Sequence, residues 1–248
     1  MSNTLLTINT ITKDYHEPGN RIKHALKGVS LTIHKGEIIS LLGINGAGKT
    51  TLSSIIATLH PPTSGDILWN NQSIYTQLMK WRRTIGFCPQ HPNLDNELTL
   101  EQILIFSGCY YGIPKNEVIA HATTLMKRFG LSEYAQSKPT VLSGGYKQRF
   151  LIARTLMHNP SLIIFDEPTV GLDPSVRHDL WNFIKELRSE GITIILTTHY
   201  LEEAEILSDR VCILDQGVIK IVDTPNNLKK SFEKKNLEEL FLHLTKAE

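Results

Sequence analysis

The feature that most constrains the fold is an apolar run followed directly by a glycine-bearing loop, within residues 38–50. Residues 38–42 are mostly large aliphatic residues, which is typical of a strand buried on both faces of a parallel sheet. From Lys49 to about Leu59 the sequence favours a helix, and the turn-forming residues 60–65 end it. A strand, a short loop and a helix in this order predict an α/β fold with a mainly parallel sheet.

The loop itself, residues 43–50, has the spacing G-x-x-x-x-G-K-T of a phosphate-binding loop. Its glycines let successive N–H groups point inward, and the following helix adds partial positive charge at its N-terminus. We expect Lys49 to reach the β- and γ-phosphates of a nucleoside triphosphate, Thr50 to ligate Mg²⁺, and Thr51 to donate to a phosphate oxygen. A chance match in a glycine-rich turn is the alternative. The candidate nucleotide-binding residues are Gly43, Asn45, Gly46, Ala47, Gly48, Lys49, Thr50 and Thr51.

A second apolar run, residues 162–165, ends in the two acids Asp166 and Glu167. Ligands of parallel sheets bind at the carboxyl ends of strands, so we expect this pair to lie beside the phosphate loop. Asp166 would then hold Mg²⁺, directly or through water, and Glu167 would act as general base on the attacking water. Two solvated acids at a strand end are the alternative.

A second glycine loop, Leu-Ser-Gly-Gly-Tyr-Lys-Gln-Arg at residues 142–149, stands far from the first. Ser143 can cap a helix while the bare Gly144 and Gly145 amides face an anion. The stretch resembles the LSGGQ signature of the ABC (ATP-binding cassette) ATPases, with Tyr146 in place of the usual glutamine. An ordinary serine-capped helix start is the alternative. In that family the signature of one subunit closes over the phosphate loop of another, burying two ATP molecules at a two-fold interface.

The resemblance extends to four more positions, in family order. It implies that Gln90 touches Mg²⁺ and the attacking water, that Asp173 in the loop 171–174 contacts the opposite subunit, and that His199 hydrogen-bonds the γ-phosphate. It also implies that Tyr15 stacks on adenine. Without the resemblance, residues 171–174 are a helix-start turn, His199 is a structural residue at the end of the strand 192–198, and Tyr15 is a surface aromatic in a loop after the first strands.

These patterns together predict a P-loop NTPase core with a mainly parallel sheet, an N-terminal antiparallel β-subdomain and an inserted α-helical subdomain. We expect residues 1–90 and 160–222 to form the core with the β-subdomain. Residues 91–159 would form the helical subdomain that carries the signature, and residues 223–248 a charged helical tail. In that tail Leu237, Leu240, Phe241 and Leu244 share one face.

Composition argues against several other classes of protein. The formal net charge of +1 gives no strongly basic footprint, so nucleic-acid binding is not favoured, although a local basic patch is compatible with it. The three cysteines form no CxxC or Cys/His cluster, so we expect reduced, mostly buried thiols, and the histidines lack the spacing of a zinc site. The N-terminus does not have the pattern of a signal peptide, and no run approaches the roughly 18 apolar residues of a membrane span. A membrane function would therefore need another polypeptide.

The resemblance implies the ATP-hydrolysing subunit of a transporter, working as a homodimer or heterodimer with integral membrane permease subunits. It would lie peripherally at the cytoplasmic face of the inner membrane. Residues 197–205 and 237–242 resemble bacterial exporter ATPases for drugs, polysaccharides or haem. One alternative is a soluble ABC ATPase in translation or nucleic-acid maintenance, although long coiled coils and a second cassette are missing. A nucleotide kinase or GTPase is the other, and it would have no use for the signature.

Overall fold

The computed structural model of the chain describes residues 3–19, 21–232 and 236–245. In chain order, the strands are β1 (Thr4–Glu17), β2 (Arg21–His34), β3 (Ile38–Leu42), β4 (Ser64–Trp69), β5 (Gln72–Ser73), β6 (Ile85–Cys88), β7 (Leu162–Asp166), β8 (Thr193–Thr198), β9 (Arg210–Asp215) and β10 (Val218–Asp223). The α-helices are α1 (Lys49–Ile56), α2 (Leu78–Thr84), α3 (Leu100–Tyr110), α4 (Lys115–Arg128), α5 (Gly144–Leu156), α6 (Pro174–Ser189), α7 (Leu201–Leu207), α8 (Pro225–Ser231) and α9 (Leu237–Thr245).

Two sheets organise these elements. The first has the order β2-β1-β4-β5, and all of its pairs are antiparallel. The second has the order β10-β9-β3-β8-β7-β6, and it is parallel except for the β9–β10 hairpin. The predicted fold class, a mainly parallel sheet with an N-terminal antiparallel one, is confirmed.

Alternate side chains of the central strands enter two different cores. In β7, Ile163 and Phe165 pack with the helices α3 to α6, whereas Leu162 and Ile164 pack with α1 and the antiparallel sheet. Every residue of β3, β7 and β8 is buried. The continuous apolar runs in the sequence therefore have the expected cause, since both faces of these strands are covered.

The segment between β6 and β7 is helical, as predicted, and contains α3, α4 and α5. Thr99 begins α3 with a capping box: Gln102 N–H donates to Thr99 Oγ1 at 3.2 Å, and Thr99 N–H donates to Gln102 Oε1 at 2.9 Å. These reciprocal bonds satisfy two backbone donors at the helix start. The helical part is thus inserted into the α/β core, while its exact boundaries stay a prediction.

Two expectations about secondary structure were wrong, and one helix was missed. Tyr15 lies inside β1 and not in a loop after the first strands, because the β1–β2 pairing continues to Glu17. Helix α1 ends at Ile56 rather than near Leu59, since Thr58 has a φ of 58° in the left-handed region. Helix α2 was not predicted, because its short sequence has little apolar periodicity.

The tail forms two helices, α8 and α9, and not one continuous helix. Thr224 Oγ1 caps α8 by accepting from Asn227 N–H at 3.1 Å, and the backbone at Phe232 leaves the helical region. The last residues of the predicted tail, 246–248, lie outside the described residues. Within α9, Leu237 and Leu240 are fully buried in a cluster with residues of the core. The apolar face of the tail therefore packs on this chain.

The cysteines are free thiols, with Cys88 and Cys212 buried and Cys109 exposed. Burial raises the pKa of both buried thiols to about 12, so they stay protonated. Among the helices of the described residues, none combines the length and the apolar character that a membrane span requires. The same part of the chain has no group of three or more His, Cys, Asp and Glu side chains that could hold a metal ion.

Candidate nucleotide-binding site

A cavity of about 340 Å³ opens above the phosphate loop, between the two sheets. It brings together predicted site residues from four separate parts of the sequence: β1, the phosphate loop, the segment after β6 and the end of β7. The residues that line it are Tyr15, Lys23, Ala25, Asn45, Gly46, Gly48, Lys49, Thr50, Thr51, Gln90 and Glu167.

The phosphate loop is closely packed at two glycines. A Cβ at Gly43 would lie 2.3 Å from the carbonyl oxygen of Leu214, and one at Gly48 would lie 2.8 Å from that of Ala25. Gly48 also has a φ of 108°, a conformation that favours glycine. The carbonyl of the buried Ala47 accepts from Gly217 N–H at 3.0 Å. The loop is therefore held in its curved form by the neighbouring backbone.

Lys49 is buried at the first turn of α1 and turns back over the loop. Its Nζ donates to the carbonyl oxygens of Gly43 at 2.8 Å and Ile44 at 3.3 Å, and it lies 3.3 Å from Glu167 Oε1. A buried ammonium group needs such partners, because burying an unpaired charge is costly. A cationic amine thus faces the cavity at the end of the loop.

Asp166 is the last residue of β7 and lies beside α1. Its Oδ1 accepts from Thr197 Oγ1 at 2.5 Å and from Thr50 Oγ1 at 3.3 Å. Burial raises the pKa of this carboxyl, and the two hydroxyl donors together with Lys49 act in the opposite direction. Hydroxyl and carboxylate oxygens are hard ligands of the kind that Mg²⁺ prefers. The side chains of Thr50 and Asp166, with the amide oxygen of Gln90, fit that ion.

Glu167 is the residue on which the polar contacts of the site converge. Its φ of 47° is rare for a residue with a side chain, and its N–H donates to Thr197 O at 3.1 Å and Oγ1 at 2.9 Å. Residues held in such backbone conformations cluster at functional sites. The carboxylate receives Gln90 Nε2 at 3.2 Å in addition to the contact with Lys49.

His199 approaches the same carboxylate from the end of β8. Its Nδ1 lies 3.2 Å from Glu167 Oε2, within the distance of an ion pair but without the alignment of a hydrogen bond. About a third of the side chain is exposed. The imidazole is therefore next to the candidate general base and is not fixed by it.

Tyr15 lines the cavity from the antiparallel sheet. It pairs with Lys23 across β1 and β2, and Lys13 Nζ lies 5.2 Å from the centre of its ring. The side chains of a directly opposed antiparallel pair lie on the same face. The ring and the Lys23 side chain are therefore neighbours in the wall of the cavity.

The second glycine loop does not join this cavity, and neither does Asp173. Ser143 caps α5, accepting from Tyr146 N–H at 3.5 Å, and both Ser143 and Gly144 are exposed. Asp173 is exposed at the start of α6. Within one chain, the second glycine loop and the phosphate loop therefore do not line the same cavity.

Sequence reasoning missed three contributors to the site: Thr197, Lys23 and Ala25. Thr197 bonds both members of the acid pair, and Lys23 and Ala25 line the cavity on β2. Only Thr197 carried a signal, because it stands near the carboxyl end of an apolar strand, as the acids do. Nothing local distinguishes Lys23 from other exposed lysines.

Comparison with known proteins agrees with this geometry. A family model described as ABC transporter matches residues 26–170. The chain is 41% identical over 206 residues to the linearmycin resistance ATP-binding protein LnrL of Bacillus subtilis (strain 168), covering 83% of this chain and 66% of that protein. It is 38% identical over 212 residues to the Nod factor export ATP-binding protein I of Rhizobium meliloti (strain 1021), covering 86% and 62%. The chain thus spans less than two thirds of the length of these two relatives.

Solved structures show a similarity to the same family over most of both chains. A structure described as the ATP binding subunit of an ABC transporter has a TM-score of 0.85 and 32% identity, covering 97% of this chain and 99% of that one. A dimeric post-hydrolysis state of the ATP-binding cassette MJ0796, bound to ADP and Pi, has a TM-score of 0.81 and 32% identity, covering 89% and 98%. The chain therefore belongs to the ABC transporter family and has the fold of its ATPase cassette.

Proposed function

We propose that this chain binds and hydrolyses ATP as a subunit of an ABC transporter, closing into a dimer on ATP to power export through separate membrane subunits. The observation that carries the proposal is the convergence of Lys49, Gln90 and His199 on Glu167 at the mouth of a phosphate loop. Such an arrangement suits the attack of water on a terminal phosphate, where catalysis depends on positioning and neutralised charge.

In this mechanism Glu167 accepts the proton of the attacking water as general base. Lys49 exchanges its contacts with the loop carbonyls for phosphate oxygens, so its charge offsets that of the γ-phosphate. Gln90 and His199 orient the water and the carboxylate. Thr50 and Asp166 would hold Mg²⁺ with Gln90, and this ion supplies further neutralisation of phosphate charge when bound.

The cavity also suits the rest of an adenine nucleotide. Tyr15 offers a ring on which the base can stack, a contact worth about 1–3 kcal/mol per base in nucleic-acid binders. Asn45, Gly46, Gly48 and Thr51 line the same cavity as that ring and Lys49. The cavity therefore offers an aromatic ring for the base together with backbone, hydroxyl and ammonium groups for the phosphates.

We propose that Ser143, Gly144, Gly145 and Asp173 bind across a dimer interface, to the nucleotide and loop of a second subunit. Two observations support this. The capped start of α5 is exposed and lies outside the chain's own cavity, so its amides are available to an anion from another molecule. The structurally similar cassette bound to ADP and Pi is described as a dimer. The partner would be the same chain or a related cassette.

The membrane partner would bind where the core and the helical part meet. Large apolar side chains are exposed there, with exposed fractions of 55% for Leu59, 68% for Met79, 58% for Phe106 and 86% for Tyr110. Leu59, Met79 and Tyr110 line a groove of about 640 Å³ with two arginines. A permease segment in this groove would sense relative movement of the two parts and hold the chain peripherally at the cytoplasmic face of the inner membrane.

Export is the favoured direction because the relatives are named for linearmycin resistance and Nod factor export. The alternative of a soluble ABC ATPase in translation or nucleic-acid maintenance receives no support from the comparisons. A neutral overall charge gives it no electrostatic support either.

Affinity purification of the full chain from detergent-solubilised membranes tests the proposal, with phosphate release from ATP as the activity. We expect an integral membrane protein to copurify and ATP to be hydrolysed in a Mg²⁺-dependent way. Absence of ATP hydrolysis by that material, or exclusive recovery with ribosomes or nucleic acid, would contradict it.

A further inference from the structure

Helices α6 and α7 are joined by two contacts that lie one helical turn apart. At the inner level, Trp181 Nε1 donates to Glu203 Oε1 at 2.9 Å, and both residues are buried. At the outer level, the Arg177 guanidinium lies 4.7 Å from the centre of the Tyr200 ring, and both side chains are half-buried. Arg177 and Trp181 are four positions apart on α6, and Tyr200, the N-cap residue of α7, is three positions before Glu203, which places each pair on matching faces.

On the Tyr200 side, the outer contact adjoins His199. The ring centroids of His199 and Tyr200 lie 4.3 Å apart, and Tyr200 N–H donates to Thr198 Oγ1 at 2.9 Å. The His199 ring therefore packs against the Tyr200 ring, and Tyr200 is hydrogen-bonded to the end of β8. Because His199 has no aligned hydrogen bond to Glu167, its position depends on the turn that carries it.

On the Arg177 side, the contact adjoins the second glycine loop. Arg177 lies in the first turn of α6, where its N–H donates to Asp173 O at 2.9 Å. The residue before it, Val176, packs against the start of α5, and a Cβ built on Gly145 would lie 2.6 Å from Val176 Cγ1. The start of α6 therefore contacts the glycine loop on one side and Tyr200 on the other.

We propose that Arg177 and Tyr200 are positioning residues that transmit the position of the glycine loop and of Asp173 to His199. The inference rests on the proposed function, in which that loop binds the nucleotide held mainly by the other subunit. Dimer closure would press on the start of α6, and the guanidinium–ring contact would carry this movement to the turn before α7. Each chain would thereby align its own His199 only when its second glycine loop is engaged.

A cation over an aromatic face suits this role better than an apolar contact. The guanidinium is attracted to the ring face and can slide over it, so the contact persists through small shifts of α6. The buried Trp181–Glu203 bond supplies the fixed point about which such shifts occur. Removing the outer contact should therefore leave the fold intact and affect only the hydrolytic step.

The test compares Tyr200→Leu with Tyr200→Phe in the full chain, purified with its membrane partner, by steady-state ATP hydrolysis. Tyr200→Leu should lower kcat about five- to tenfold, the loss expected for a partly desolvated cation–π contact, with KM for ATP unchanged. Tyr200→Phe keeps the ring face and should retain most of the activity. Arg177→Met removes the same contact and also a positive charge that acts on the buried Glu203. It should therefore be at least as slow as Tyr200→Leu, and the double variant should be no slower than Arg177→Met.

A control variant is Arg128→Met, which removes a guanidinium lying 5.7 Å from the Phe129 ring in the helical part and should leave kcat unchanged. Equal kcat for Tyr200→Leu and Tyr200→Phe would overturn the proposal, as would independent, multiplying effects in the double variant. If Tyr200→Leu does not fold, the kcat values of Arg177→Met and Arg177→Lys are compared in its place. A wild-type complex without ATPase activity would instead contradict the proposed function itself.

Discussion

The two glycine loops of this chain differ in almost every structural respect. The phosphate loop is held between buried strands, and its lysine contacts backbone carbonyls and Glu167 from the same chain. The loop at Ser143 is exposed and makes its closest packing contact with the start of α6. One loop is surrounded by the candidate catalytic residues, whereas the other has none of them beside it within its own chain among the described residues.

This difference teaches that nucleotide binding and hydrolysis have different requirements. The first loop has, in one chain, the proposed stacking ring, a lysine and the proposed metal ligands, so a monomer should bind ATP. The second can complete a site only by contact with another molecule. Variants in the first region should therefore alter binding or chemistry, and variants in the second should alter turnover without altering binding.

The largest effect should come from Glu167→Gln. It removes the proposed general base, and positioned bases contribute roughly 10²–10⁴-fold to rate, so phosphate release should fall by that factor. ATP should still bind, since Lys49 and the phosphate loop are unchanged, and the variant should accumulate as a dimer. Size-exclusion chromatography with ATP measures this. A variant that stays monomeric at high ATP would count against the role of the second loop.

Ser143→Arg should come next, lowering turnover at least about 100-fold, the size found when a transition-state donor is lost. A bulky cation at the exposed start of α5 would keep two subunits from closing. Fluorescent-nucleotide titration of the monomer should give an unchanged dissociation constant. Weaker binding by the monomer would break the contrast between the loops.

Lys49→Ala should raise the dissociation constant for ATP about tenfold to a hundredfold, because hydrogen bonds to charged groups are worth about 1.5–3 kcal/mol. The measurement is the same titration, with adenosine as a control ligand that lacks phosphates and should bind equally to both proteins. Turnover equal to wild type would mean that the phosphate loop has been assigned wrongly.

The smallest effect is expected from substitutions at two neighbouring glycines. Gly145→Ala should lower the free energy of unfolding by about 1–3 kcal/mol, the usual cost of overpacking, because its Cβ would lie 2.6 Å from Val176 Cγ1. Gly144→Ala is the matched control, since its Cβ would meet Leu172 at an ordinary 3.9 Å. Urea unfolding without nucleotide separates the two. Equal stabilities would mean that α5 and α6 are not coupled as the packing suggests.

Several features could be predicted from the sequence because they depend on neighbouring residues. The strand before Gly43, the helix after it and the serine cap of α5 each follow from local residue types and spacing. The length of the first strands did not follow in this way. Tyr15 lies within β1 because cross-strand pairing with Lys23 extends the ladder, and pairing is not a local property.

The sequence by itself thus determined the elements and the residue types that carry the chemistry. Only the tertiary structure decided which of them meet, because that depends on strand order. Strand β8 lies between β3 and β7, which brings Thr197 onto Asp166 and sets His199 beside Glu167. The left-handed backbone at Glu167 likewise follows from its bonds to Thr197 rather than from any preference of glutamate.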